Sequence, residues 1–198
     1  MTLIKNLFSR RFKISKLTML IIIGLVVVSN SCMQMRTSDK ATAKRFDKVG
    51  VKHEVIVFQP EEYPFTTRTI KTSIMPQKTA IIFIHGAPGS SDAFYDYLED
   101  SRLLERANLY SVDRVGYGFS DYGESLNSIE EQAGIISEFI NAKVIEQNVI
   151  VLGHSYGGPI SAVVSTMNSR VTNLLMLAPA NDPDNEKIFW FSHFAKWK

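Results

Sequence analysis

A strand that runs straight into glycine, serine and glycine constrains this chain more than any other feature. Asn148-Val149-Ile150-Val151-Leu152 is apolar and β-branched after its first residue, without polar alternation. That is the pattern of a strand covered on both faces. Gly153-His154-Ser155-Tyr156-Gly157-Gly158 follows at once, and then a run rich in small residues, apolar at helical spacing, to Met167. A passage from strand to helix in so few residues is crowded. The positions two before and two after the serine must be small, hence Gly153 and Gly157. Pro159 falls in the first helical turn, where a missing N–H costs little. Such a turn pushes Ser155 out at the top of the sheet and nominates its hydroxyl as a nucleophile. A bare Gly-x-Ser-x-Gly also occurs by chance in Gly-rich turns, so upstream motifs have to decide.

There are two. Ala80-Ile81-Ile82-Phe83-Ile84-His85-Gly86-Ala87-Pro88-Gly89 is a buried-type strand entering His-Gly-x-Pro-Gly. Glycines in that loop let backbone N–H groups come close to a developing oxyanion. Tyr110-Ser111-Val112-Asp113-Arg114-Val115-Gly116-Tyr117-Gly118-Phe119-Ser120-Asp121 is a strand ending in a Gly-rich polar loop.

The three motifs, in this order over roughly residues 51–181, resemble the α/β-hydrolase superfamily. The similarity is greatest to its branch of small esterases, proline iminopeptidase-like enzymes, haloperoxidases and epoxide hydrolases. The resemblance implies an α/β fold: a mostly parallel sheet with helices on both faces. It implies Ser155 as nucleophile and the backbone N–H groups of Ala87 and Tyr156 as oxyanion hole. It implies structural roles for the loop residues His85, Gly86, Gly153 and Gly157, and for Asp113 and Arg114. His154 would pack under the turn. A serine at 155 argues against the epoxide hydrolases and haloalkane dehalogenases, which carry a carboxylate there.

The front of the chain stands apart. Residues 1–16 hold Lys5, Arg10, Arg11, Lys13 and Lys16 and no acid, and residues 17–28 are almost purely apolar. Ser29-Asn30-Ser31-Cys32 follows. A basic segment, a short apolar segment and small residues describe a signal peptide over 1–31. The apolar part is short for a spanning helix of roughly 20 residues. Cys32, the one cysteine, resembles the acylated cysteine of bacterial lipoproteins, with Ser29 as a departure from the usual aliphatic residue. The chain is then expected in the cell envelope, lipid-anchored to a membrane. A plain secreted or periplasmic protein and an uncleaved N-terminal anchor are the alternatives. Residues 32–50 are polar and read as a flexible tether. The formal charge of +2 belongs to the front, since from Cys32 onward 17 basic residues face 20 acidic ones. No basic stripe or motif points to nucleic acid. The four histidines and one cysteine lack metal-ligand spacing, and no dinucleotide fingerprint appears, so neither metal nor cofactor is expected.

Residues 51–183 read as the first part of one hydrolase domain. Strands are expected over 53–58 and 67–74 as an antiparallel pair with one exposed face, then over 81–85, 108–113, 148–152 and 171–178. Helices are expected over 91–100, 128–142 and 157–167. Ser128 with Glu131 makes a capping box, and Ile129, Ala133, Ile136 and Ile140 form one stripe.

A serine nucleophile needs a base and the base an orienting acid, in the chain order serine, acid, histidine for this superfamily. After Ser155 the acid candidates are Asp182 and Asp184, and His193 is the only histidine. All three also read as loop or lid residues, with 184–198 an aromatic lid start. Together with the apolar strand at 171–178, this makes the chain read as C-terminally truncated, lacking the last strands, the acid and the histidine, and inactive alone. The expected function is cleavage of a carboxylic ester, or second an amide, through an acyl-enzyme on Ser155. The alternatives are a catalytically inactive surface binding module and a non-hydrolytic, haloperoxidase-like member.

Overall fold

The computed structural model describes residues 15, 16, 18–24, 36–124 and 126–182. The chain divides into two compact units, 1–34 and 35–198. In the first, residues 18–24 are helical. No helix among the described residues is long and apolar enough to cross a membrane.

The second unit opens with helix α1 (Asp39–Lys48), then strands β1 (His53–Phe58), β2 (Thr67–Thr72) and β3 (Thr79–Ile84). A 3-10 turn (Ser91–Phe94) and short helices α2 (Tyr95–Leu98) and α3 (Ser101–Leu104) lead to β4 (Asn108–Asp113). Helix α4 (Ile129–Lys143), β5 (Asn148–His154), α5 (Gly157–Met167) and β6 (Val171–Leu177) follow. The sheet runs β1-β2-β4-β3-β5-β6. The two pairings made by β2 are antiparallel, and those among β4, β3, β5 and β6 are parallel. This is the expected α/β fold, a mostly parallel sheet with helices on both faces.

The side-chain period of two along β3 sorts the core. Ala80, Ile82 and Ile84 meet Ala133, Ile136, Phe139 and Ile140 of α4 and Ile160 and Val164 of α5. Phe83 points the other way, to Phe46 of α1, Phe94, Tyr95, Leu98 and Leu104. Ser128 caps α4, its Oγ accepting the Glu131 N–H at 3.1 Å.

Three expectations change. Residues 39–48, placed in the flexible tether, form α1, capped by Ser38 and ended by Gly50 at φ 70. Phe46 holds it down, fully buried, with its ring 5.2 Å from Tyr95 and 5.3 Å from His53. Thr42 shares a buried hydrogen bond of 3.0 Å with the Tyr95 hydroxyl, and Arg45 pairs with Glu99 and Asp96. The single helix expected over 91–100 is broken. Asp100 accepts from the N–H groups of Arg102 and Leu103 and so starts α3 instead of continuing α2. Strand β2 has no exposed face: Ile70 packs with Phe46 of α1 on one side, and Thr67 and Thr69 are buried on the other. Strand β1, at the edge, does alternate, with Val55 and Val57 outward.

Phe46→Ala is expected to cost about 3–5 kcal/mol in urea denaturation and to open residues 36–48 to limited proteolysis. Arg45→Ala, which breaks a half-exposed ion pair, should cost under about 1 kcal/mol.

Candidate functional site

Strand β5 ends at His154 and α5 begins at Gly157, so two residues make the turn. Ser155 sits at φ 52, a left-handed conformation that is unfavourable for a side chain with a Cβ. Three backbone bonds hold it there. Its N–H donates to Leu177 O at 3.0 Å, and its carbonyl accepts from Gly158 at 2.9 Å and Ala180 at 3.1 Å. The return of the chain after β6 therefore braces the turn. The flanking glycines have no alternative. A Cβ on Gly153 would lie 2.1 Å from Gly157 O, and one on Gly157 would lie 2.2 Å from Ile84 O.

The loop after β3 lies against Ser155. A Cβ on Gly86 would come within 2.8 Å of Ser155 Cβ and 3.2 Å of its Oγ. Ala87, the next residue, is exposed, and Tyr156 is half-buried. The two residues named for the oxyanion hole thus follow directly on Gly86 and Ser155, which touch.

His85 is fully buried. Its Nε2 accepts the Arg114 N–H at 3.1 Å, so Nδ1 carries the proton and donates to Gly86 O at 2.7 Å. Burial and the nearby Arg114 guanidinium push its pKa down to about 3. With both ring nitrogens engaged and the charged form disfavoured, His85 braces the backbone of its loop. Arg114 extends that brace. Its Nε donates to His85 O at 2.9 Å and Nη2 to Gly86 O at 3.0 Å. Nη1 reaches Gln132 Oε1 at 2.6 Å.

Asp113 works on the other side of the strand end. Its carboxylate accepts from Ser91 N–H at 2.6 Å and Phe119 N–H at 3.0 Å, and Arg68 stands 3.4 Å away. It fills the space that a Cβ on Gly118, at φ 55, would need. Burial pushes its pKa up, while those donors pull it back. Asp113 and Arg114 thus tie down two different loops from adjacent positions.

Other candidates fall elsewhere. His154, expected to pack beneath the turn, is exposed at the end of β5, level with exposed Leu177 of β6. Strand β6 is the sheet edge, and Leu175, Met176 and Leu177 are all exposed. No described side chain covers His154, which is why it does not pack. Asp182 is exposed beyond β6. Asp184, His193 and Cys32 lie outside the described residues. Two supporting residues escaped the sequence. Gln132 is a polar residue beside Ala133 on the buried side of α4, and Arg68 is a buried charge in β2. Gln132 was detectable as a polar residue on the apolar stripe of α4, whereas the polar run Thr67-Arg68-Thr69-Ile70-Lys71-Thr72 gave no local signal for Arg68.

Comparison with known proteins agrees with this fold. A profile of the alpha/beta hydrolase fold family matches residues 79–198. A multifunctional-autoprocessing repeats-in-toxin of Vibrio cholerae is 29% identical over 89 residues, 44% of this chain and 2% of that one. Protein phosphatase methylesterase 1 of Candida albicans is 25% identical over 70% of this chain and 39% of its own length. The crystal structure of a putative lipase from Acinetobacter baumannii AYE superposes with a TM-score of 0.59 at 16% identity, over 72% of this chain and 46% of that one. The chain therefore spans less than half the length of each of these three proteins.

The His85 environment sets a pH dependence. A histidine depressed to about 3 in the folded state binds a proton in the unfolded chain first. Between about pH 6.5 and 3 the unfolded state holds more protons, so stability falls as pH drops through that window. At pH 5 the loss is about 2 kcal/mol. Melting curves from pH 7 to 4 should show the parent losing stability more steeply than His85→Gln, which has no titrating group there.

Proposed function

We propose a serine hydrolase activity for this chain, which belongs to the alpha/beta hydrolase fold family. The observation that carries it is Ser155 at φ 52, lifted between strand and helix with the Gly86–Ala87 loop against its side chain. In this reading Ser155 Oγ attacks a carboxylic ester carbonyl, or second an amide carbonyl, as a general base takes its proton. The oxyanion that forms is held by the N–H groups of Ala87 and Tyr156. Collapse expels the alcohol or amine and leaves an acyl group on Ser155, which water then removes. The two hydrogen bonds of His85 support a bracing role and a base elsewhere. The methylesterase and the putative lipase named above are consistent with ester chemistry.

The test is labelling of the full-length gene product with a fluorophosphonate. Ser155 is expected to carry the adduct, and Ser155→Ala to lose it. A parent that stays unlabelled, or is labelled at another residue, overturns the reading.

We also propose that Cys32 is acylated and anchors the chain to a membrane of the cell envelope. Arg36 donates to Gly118 O at 2.6 Å and lies over Phe119 at 4.3 Å and Tyr122 at 5.0 Å. Three residues separate it from Cys32. Cys32→Ala is expected to move the protein from the membrane to the soluble fraction and abolish fatty-acid labelling. Unchanged labelling overturns the anchor.

A further inference from the structure

We infer that Arg114 is a positioning residue for the oxyanion site, where it orients and polarises the Gly86–Ala87 peptide. This rests on the serine hydrolase reading of Ser155.

The geometry starts with one peptide plane. The Gly86–Ala87 bond is trans, the described cis bond being the next one, Ala87–Pro88. In a trans peptide the carbonyl and the N–H point in opposite directions. The Gly86 carbonyl accepts from Arg114 Nη2 at 3.0 Å and from His85 Nδ1 at 2.7 Å. The Ala87 N–H is therefore turned away from Arg114. Gly86 itself is packed on Ser155, since a Cβ there would lie 3.2 Å from Oγ. Two donors on the carbonyl draw electron density from the amide nitrogen and make its N–H a stronger donor.

The charge matters as well as the hydrogen bonds. Arg114 is 2% exposed. Its side chain is bonded to the carbonyls of His85 and Gly86 and the amide of Gln132. Its guanidinium lies 4.4 Å from the Tyr117 ring and 5.2 Å from the Tyr156 ring. Among the described residues it makes no ion pair with a carboxylate, whereas Arg68, Arg45 and Arg102 each do. Its positive charge is thus left unneutralised beneath the residues that supply both oxyanion donors. A bolt for two carbonyls needs N–H groups and not a net charge. A device that favours negative charge above the Gly86–Ala87 peptide needs the charge too.

Two variants of the full-length gene product separate these roles. Arg114→Lys keeps the charge, and Arg114→Gln keeps a donor without it. The readouts are the rate of fluorophosphonate labelling at Ser155, the KM for a short p-nitrophenyl ester, and the amide proton shift of Ala87. Arg114→Gln is expected to label at least about 10-fold more slowly with KM nearly unchanged, and its Ala87 proton to move upfield. Arg114→Lys should stay within about 3-fold of the parent. A folded Arg114→Gln that matches the parent in rate and Ala87 shift overturns the inference, as does Arg114→Lys as slow as Arg114→Gln. Should Arg114→Gln fail to fold, Arg114→Lys decides alone. Near-parental rate and shift support the role of charge, and a loss of 10-fold or more overturns it. A parent without any Ser155 adduct defeats the serine reading instead, and the Ala87 shift still reports on Arg114.

Discussion

Backbone meeting backbone without room for a Cβ is the constraint on which the rest of the site depends. The ends of β3 and β5 and the start of α5 touch through Gly153, Gly157 and Gly86. Parallel pairing of β3 with β5, Ile84 opposite Gly153, brings the two loops to the same end of the sheet. Only there can the β3 loop lie on the nucleophile turn. The left-handed backbone of Ser155 is held by what surrounds it. Leu177, Gly158 and Ala180 each contribute one hydrogen bond, so β6 and its return segment complete the turn that β5 begins. An alanine at Gly153 or Gly157 would force main chain from main chain, which no side-chain rotation relieves.

Adjacent residues at the end of β4 then divide the work of fixing the loops. Successive side chains leave a strand on opposite faces. Asp113 turns toward the 3-10 turn and the Gly118 bend, and Arg114 toward His85, Gly86 and Gln132 of α4. One carboxylate and one guanidinium, both buried, substitute for the water that these loop backbones would otherwise bind. Buried charge is costly unless every donor and acceptor is used. That requirement makes the two residues intolerant of change in a way that the exposed residues near them, such as Tyr122, are not.

The strands and the nucleophile turn were legible because they rest on local crowding and on apolar runs. Asn108–Asp113 and Gly157–Met167 fall where the residues place them. The remainder depends on partners far away in sequence. Helix α1 contains one large apolar residue, Phe46, so no periodicity betrays it, and its stability comes from Tyr95 and His53. The break after α2 needs one side chain, Asp100, to outcompete the helix for two N–H groups. The burial of Arg68 requires a carboxylate from α1 and another from β4. No stretch of ten residues contains that information.

Those two carboxylates connect the front of the domain to its chemistry. Arg68 pairs with Asp39 of α1 on one side and Asp113 on the other, with its guanidinium 4.5 Å from the Phe119 ring. Asp113 in turn fixes Ser91 and Phe119, and Ser120 Oγ, which donates to Asp113 O, accepts the Arg68 N–H. A domain begun at residue 51 would lose Asp39 and uncover Arg68. That charge would then face Asp113 alone, or draw water into the loop that also carries Arg114. Segment 36–48, which reads in sequence as spacer, is therefore part of the scaffold that shapes the site.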